Sequence, residues 1–317
     1  MLRPKGHAGL GEMPQGRALL PVPRARWQLL GMLPTGVYHM TTIADVLSGR
    51  ARYVTLEADC SEVLPMLPEG SVDVLATDPP YESEAHTLQR RTRRRNGTHD
   101  GGAYDDKGGM VAVLEPLSFP PITEAERIAA SQEYARLTRR WCVVFCQIEA
   151  AMKWQESLVS AGMARRRIGV WVKPDGQPQL SGDRPGMGFE SIVFTHAKGR
   201  SRWNGGGRSS VFTCNKFIPG DGPNVHPTQK PLPLLLDLVE LFTEPGELIL
   251  DPYCGSGGLG IACMRLGRRY IGIDNGKDAN KKPWAQWARE GIEAELRGMT
   301  RAQARAGQIG LFEMVSP

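Results

Sequence analysis

Asp78-Pro79-Pro80-Tyr81 directly follows the apolar run Val72-Asp73-Val74-Leu75-Ala76-Thr77. A strand there would deliver the Asp78 carboxylate to its C-terminal end, the edge at which open α/β sheets bind ligands. The two prolines fix the turn and remove two N–H donors, so their carbonyls remain as acceptors. An aromatic plate follows at once. Acceptors beside a flat ring suit an exocyclic amino group on a planar base. The same four residues also read as a surface turn, because Asp-Pro and Pro-Pro are common turn formers.

A second constellation is Glu247-Leu248-Ile249-Leu250-Asp251-Pro252-Tyr253-Cys254-Gly255-Ser256-Gly257-Gly258-Leu259-Gly260, an apolar strand running into a glycine turn, with Ile261-Ala262-Cys263-Met264 opening a helix. Gly255, Gly257 and Gly260 satisfy G-x-G-x-x-G, and Asp274 closes the next strand at the spacing of a ribose-binding acid. Nucleoside binding follows, and a nicotinamide dehydrogenase would share it. Asp251-Pro252 separates the two readings, since a pyrophosphate disfavours an anionic side chain at the strand end whereas a cationic sulfonium favours it. With no Lys after the glycines, an ordinary phosphate-binding P-loop is excluded. The third constellation is His226-Pro227-Thr228-Gln229-Lys230-Pro231, whose polar groups precede a leucine-rich segment near a helix start, where carboxylates are favoured. It reads equally as a Pro-rich helix entry.

These groups need a scaffold that brings strand ends together. Short apolar runs at 53–58, 72–76, 142–146, 168–172, 191–194, 248–250 and 270–273 alternate with helical stretches at 123–139, 149–160 and 232–242. That alternation predicts a mostly parallel sheet with helices on both faces. Thr123 and Glu126 have capping-box spacing. Residues 1–39 are rich in Pro, Gly and Arg and are expected to be disordered or to lie upstream of the natural start, because Met40-Thr41-Thr42-Ile43 reads like the opening of a folded protein. Segments 81–121 and 176–224 break the alternation, and long loops inside an α/β unit usually carry function.

Composition narrows the class. Over 317 residues, 39 Lys+Arg against 34 Asp+Glu leave a formal charge of +5, which suits an anionic partner without requiring one. The six cysteines form no C-x-x-C pair and sit mostly in apolar runs, as expected of thiols in a reduced, cytoplasmic protein. No apolar run approaches the ~20 residues of a membrane span.

Taken in order, Asp78-Pro79-Pro80-Tyr81, His226-Pro227-Thr228-Gln229-Lys230-Pro231 and Asp251-Pro252-Tyr253-Cys254-Gly255-Ser256-Gly257 resemble the amino-methylating DNA methyltransferases of the β arrangement. The resemblance spans roughly 53–275. It implies methyl transfer from S-adenosylmethionine to N6 of adenine or N4 of cytosine in double-stranded DNA, and it allows a homodimer. The implied fold is a doubly wound, Rossmann-like seven-stranded sheet, circularly permuted, with one antiparallel strand near an edge and a small target-recognition insertion. The implied division is a target-base half at 40–175, a recognition segment at 176–225, a cofactor half at 226–297 and a C-terminal tail at 298–317. An adenine target is favoured because the family's adenine enzymes usually begin the tetrapeptide with Asp; N4-cytosine is the alternative. A dehydrogenase would leave Asp78–Tyr81 and 226–231 unexplained, and a catalytically silent DNA-binding partner would be expected to lack the intact tetrapeptide.

By the same resemblance Asp78, Pro79, Pro80 and Tyr81 are catalytic. Asp78 and the Pro79 carbonyl each accept one N–H of the amine, and Tyr81 stacks on a flipped base, with direct in-line transfer and no metal. Glu57-Ala58-Asp59-Cys60 matches the segment that sets Asp59 and Cys60 along the cofactor's adenine, with Ala58 in place of the usual Gly. Asp274 would hold the ribose, Thr228 and Lys230 the methionine part, and Asp251, Tyr253, Gly255, Ser256 and Gly257 the cofactor floor. DNA contacts are expected from Arg90, Arg91, Arg93, Arg94 and Arg95, which also read as a solvated charge run, and from Arg200, Arg202, Trp203 and Arg208 in the recognition segment. Trp171-Val172-Lys173-Pro174 resembles the strand end beside the target base, although Trp171 reads better as a core aromatic.

Overall fold

The computed structural model describes residues 41–82, 91–93, 103–104, 110–113, 120–176, 185–216 and 228–308, the short strands between 91 and 113 by their backbone alone. Residues 1–40 lie outside them. The chain enters through α1 (Ile43–Leu47), closed by a reciprocal capping box between Thr42 and Asp45. There follow β1 (Tyr53–Glu57), α2 (Cys60–Val63), β2 (Val74–Thr77), α3 (Glu124–Leu137), β6 (Trp141–Cys146), α4 (Ile148–Ser160), β7 (Ala164–Val172), β8 (Phe189–His196) and β9 (Val211–Thr213). The last part contributes α5 (Leu232–Phe242), β10 (Leu248–Asp251), α6 (Gly258–Arg265), β11 (Arg269–Asp274), α7 (Trp284–Leu296) and α8 (Arg301–Arg305). Within 81–121, treated above as loop, β3 (Arg91–Arg93), β4 (Ala103–Tyr104) and β5 (Met110–Val113) form a small antiparallel sheet in the order β3-β5-β4.

The main sheet has the order β1-β11-β10-β2-β6-β8-β7-β9. It holds eight strands among the described residues, one more than expected, because three residues at Val211–Thr213 are too few to show a period yet pair in parallel with β7 and bury Phe212. All but β8 run the same way; β8 is antiparallel to both β6 and β7. The expected single reversed strand is therefore present. β7 begins earlier than its apolar run because its first half, Arg165–Arg167, alternates exposed and half-buried positions that carry charge.

Strand parity builds two cores. Cys142, Val144 and Cys146 of β6 face α1, α3 and α4, where Tyr134, Leu137, Trp154 and Leu158 close the layer. Trp141, Val143 and Phe145 face α5, α6 and α7, packed with Leu234, Leu238, Cys263 and Ile292. Helix α3 has the capping box predicted from Thr123 and Glu126, both halves made, a device worth ~0.5–2 kcal/mol. Among the described residues no helix is long and apolar enough to cross a membrane.

The positioning consequence lies between β10 and β2, which pair in parallel although far apart in the chain. From β10 the order proceeds outward through β11 to β1, and from β2 it proceeds the other way through β6. The two loops leaving the C-terminal ends of β10 and β2 diverge there and open a crevice at the switch point.

Candidate active site

Asp78 is the first residue beyond β2 and enters that crevice. Its Oδ2 accepts a hydrogen bond from the Lys230 ammonium, while its Oδ1 is buried without a hydrogen-bond partner. Burial pushes the Asp78 carboxyl up, Lys230 opposes this, and Glu190 adds to the rise. Tyr81, half-buried, donates its hydroxyl to Glu190 Oε2 at 2.7 Å. Lys230 Nζ lies 3.3 Å from that same Oε2, and Glu190 Oε1 accepts from Lys173. Burial favours the neutral amine of Lys230, but Asp78 and Glu190 overrule it and hold its pKa above the ordinary value.

One expected residue meets partners not foreseen, and one further residue enters the site. Lys230, assigned to the methionine part, aims its ammonium at Asp78 and Glu190, because the turn entering α5 comes down over the end of β2. Glu190 was not singled out at all. It sits near the start of β8, and a glutamate in an alternating strand gives no signal of its own; only the reversed direction of β8 puts it at the active edge.

At the other end of the crevice the turn after β10 is built for close approach. Gly255 and Gly257 have φ of +49° and +82°, and a Cβ on Gly257 would stand 2.6 Å from Ala288 Cα in α7. The positive φ favours glycine at both, and the contact with Ala288 requires it at Gly257. Asp274, ending β11, accepts the Gly255 N–H on Oδ2 and the Gly276 N–H on Oδ1, each at 2.8 Å; burial raises its pKa. Asp59 caps α2 through Ser61 and takes the Asn275 amide at 3.1 Å, tying the ends of β1 and β11. Burial pushes the Cys60 thiol up to about 11, so it is a neutral wall contact beside Tyr253. Ser256 donates to the Gln229 side chain at 2.9 Å. Thr228 lines the same crevice, whereas His226 and Pro227 lie outside the described residues.

Asp251, expected on the cofactor floor, lines the cleft and is also tied into the sheet. It is buried, with Oδ1 accepting from Thr77 at 2.9 Å and from the Tyr253 N–H at 3.3 Å, and Oδ2 from the Tyr270 hydroxyl at 3.2 Å. Burial raises its pKa to about 7. It clamps β2, β10 and β11 together.

One continuous cleft of about 1260 Å³ joins both ends, with Asp78 and Tyr81 on one side and Cys60, Gly255 and Asp274 on the other. A nucleoside with a short charged tail fits the second side. Carboxylates stand where hydroxyls need acceptors, each Asp274 oxygen retaining a second lone pair, and a glycine turn allows backbone approach.

The expected DNA contacts fare differently. Arg90, Arg94 and Arg95 lie outside the described residues, and Arg91 and Arg93 are seen as backbone of β3. Arg200, Arg202, Trp203 and Arg208 do not line the cleft. Because β8 is reversed, the chain after His196 emerges at the opposite edge of the sheet, where Trp141, opening β6, donates its indole N–H to the Arg202 carbonyl. Trp203 packs on Phe242 with ring centroids 5.0 Å apart and bonds to the Gly206 carbonyl, and Arg208 is paired with Asp237. Trp171 is buried and donates to the Cys214 carbonyl at 2.8 Å, a core role, as expected.

Residues 171–281 match a family model described as DNA methylase. Type II methyltransferase M2.DpnII of Streptococcus pneumoniae is 26% identical over 272 residues, covering 77% of this chain and 91% of that protein. Putative methylase YubD of Escherichia coli (strain K12) is 26% identical over 223 residues, 69% of this chain and 83% of that one. Among solved structures, the fold is similar to the M1.HpyAVI–SAM complex, with a TM-score of 0.51 at 22% identity, covering 75% of this chain and 98% of that one. It is also similar to the cytosine-N4-specific PvuII DNA methyltransferase, with a TM-score of 0.51 at 13% identity, covering 75% of this chain and 87% of that one.

Proposed function

We infer that this chain, one of the amino-methylating DNA methyltransferases of the N6-adenine or N4-cytosine type, methylates the N6 amino group of adenine in DNA with S-adenosylmethionine as donor. The carrying observation is the single cleft that has Asp78 and Tyr81 at one end and the glycine turn with Asp274 at the other. When bound, S-adenosylmethionine supplies a methyl group made electrophilic by its sulfonium. Asp59, Asp274 and the turn at Gly255 and Gly257 would hold it.

An exocyclic amine is a poor nucleophile because its lone pair is delocalised into the ring. Asp78 Oδ1, buried and without a partner, accepts one N–H, and the Pro79 carbonyl accepts the other. Fixing both N–H bonds draws the nitrogen toward tetrahedral geometry and frees the lone pair for in-line attack. Lys230 on Oδ2 favours the ionised form of Asp78, which is then able to take up the proton released by the amine, directly or through water. Tyr81 offers its ring to a base rotated out of the duplex, worth ~1–3 kcal/mol.

The preference for adenine rests on the carboxylate at the first position of the tetrapeptide, which resembles the family's adenine enzymes. Residues 40–175 then form the target-base half and 226–297 the cofactor half. The test is incubation of unmethylated duplex DNA with S-adenosylmethionine, followed by nucleoside mass spectrometry. N6-methyladenine is expected; N4-methylcytosine overturns the base assignment, and no methylated nucleoside overturns the activity.

A further inference from the structure

Glu190 has more polar contacts in the cleft than the Asp78 it stands beside. Its Oε2 accepts the Tyr81 hydroxyl at 2.7 Å and lies 3.3 Å from Lys230 Nζ, and its Oε1 accepts from Lys173. Lys230 also bonds Asp78 Oδ2, and its ammonium lies 5.1 Å from the Phe145 ring centroid and 5.6 Å from that of Tyr81. Two carboxylates therefore share one buried ammonium, and Lys173 supplies the second cation that balances them. Another titratable group facing them is the Cys146 thiol at the end of β6, which burial first and then Asp78, Glu190, Glu82 and Glu149 hold far up, so that it stays neutral.

We propose that Glu190 is a positioning residue for the methyl transfer, fixing the Tyr81 ring through its hydroxyl and dividing Lys230 with Asp78, so that the Glu190–Lys173 pair sets how readily Asp78 carries charge. The proposal rests on the reading of the cleft as the site of amine methylation. Its electrostatics follow from sharing. A carboxylate that competes for one ammonium is stabilised less than one that holds it alone, and a nearby like charge disfavours ionisation. Lys173, bonded to Glu190 Oε1 while Lys230 stands at Oε2, draws Glu190 off Lys230.

Opposite shifts are therefore expected from two substitutions. Glu190→Gln keeps an acceptor for Tyr81 but removes the competing charge, so the acid limb of the kcat–pH profile moves down by about 0.5–1 pH unit. Lys173→Met throws Glu190 entirely onto Lys230, and the acid limb moves up by about as much. Glu190→Ala also releases the Tyr81 hydroxyl and raises KM for DNA by about 3–10-fold, an increase that Glu190→Gln reverses. A residue that merely filled space would move none of the limbs.

The measurement is steady-state methyl transfer to duplex DNA from pH 5 to 9 for the wild type and the three variants, with thermal melting alongside. Should Glu190→Ala fail to fold, the Gln and Met variants carry the test. Limbs shifted in opposite directions support the proposal. Superimposed limbs in a wild type and variants that all methylate DNA overturn it while leaving the proposed function intact. A wild type with no methyl transfer overturns the function itself.

Discussion

Thr77 and Asp251, 174 residues apart, are joined by a buried hydrogen bond of 2.9 Å that ties the strand leading to Asp78 to the strand leading to the glycine turn. The bond couples the two halves of the cleft, and it lies on a carboxyl whose pKa burial raises to about 7.

That raised value gives a pH dependence with a definite sign. Native Asp251 keeps a proton that the unfolded chain releases near its ordinary value of 3.8. Its contribution to stability is full below about pH 4 and is lost as pH rises through about 7. Asp251→Asn cannot ionise, so its thermal midpoint should decline less than that of the wild type between pH 4.5 and 7.5. Parallel melting curves across that range would remove Asp251 from the pH response.

Asp78→Asn should keep binding S-adenosylmethionine, because the glycine turn and Asp274 are untouched, while turnover falls by about 10²–10³-fold, the usual loss on removing one preorganised charge. Calorimetric titration of the cofactor beside methyl-transfer rates separates the two quantities. Turnover near that of the wild type would take Asp78 out of the chemistry.

For Tyr81 the ring and the hydroxyl have separate partners. Tyr81→Ala removes the stacking plate and should weaken DNA binding by ~1–3 kcal/mol. Tyr81→Phe keeps the plate, loses the hydroxyl that bonds Glu190, and should weaken binding less. Equal losses in fluorescence titrations with duplex DNA would contradict stacking.

Gly257 and Gly246 share a φ of +82°, but a Cβ at Gly257 meets Ala288 Cα at 2.6 Å whereas one at Gly246 meets nothing within 4 Å. Gly246→Ala should cost about 1–2 kcal/mol of stability from backbone strain alone. Gly257→Ala should cost more and also lower cofactor affinity, since α7 or the turn must move. Melting temperature and cofactor titration read these out, and indistinguishable variants would refute the close-packing argument.

The C-terminal tail reaches the cofactor turn. Arg301 in α8 donates to the Ser256 carbonyl, and Arg305 and Lys282 lie 3.9 Å and 4.1 Å from the Trp287 ring centroid. Arg301→Ala should raise the Kd for S-adenosylmethionine by about 3–10-fold, the equivalent of one hydrogen bond, with DNA affinity unchanged. Unaltered cofactor binding would make the contact incidental.

Much of this was legible along the chain. Unbroken apolar runs in Trp141–Cys146 and Leu248–Leu250 mark strands buried on both faces, Thr123 with Glu126 marks a helix start, and the glycine spacing marks a turn that a nucleoside can approach. These are local effects: sterics, capping and side-chain parity act between residues a few positions apart, so residue order alone carries them. Strand direction is not local. The reversal of β8 brings Glu190 to the cleft and sends Arg200, Arg202 and Trp203 to the far edge, and nothing within 189–208 encodes it. Partners are not local either. Lys230 meets Asp78 across 152 positions, and Asp251 is held by Thr77 and Tyr270, each from a different strand. Residue types thus established which chemistry was available, and the packing of distant strands selected which charges meet, because burial and pairing exist only once the chain has closed on itself.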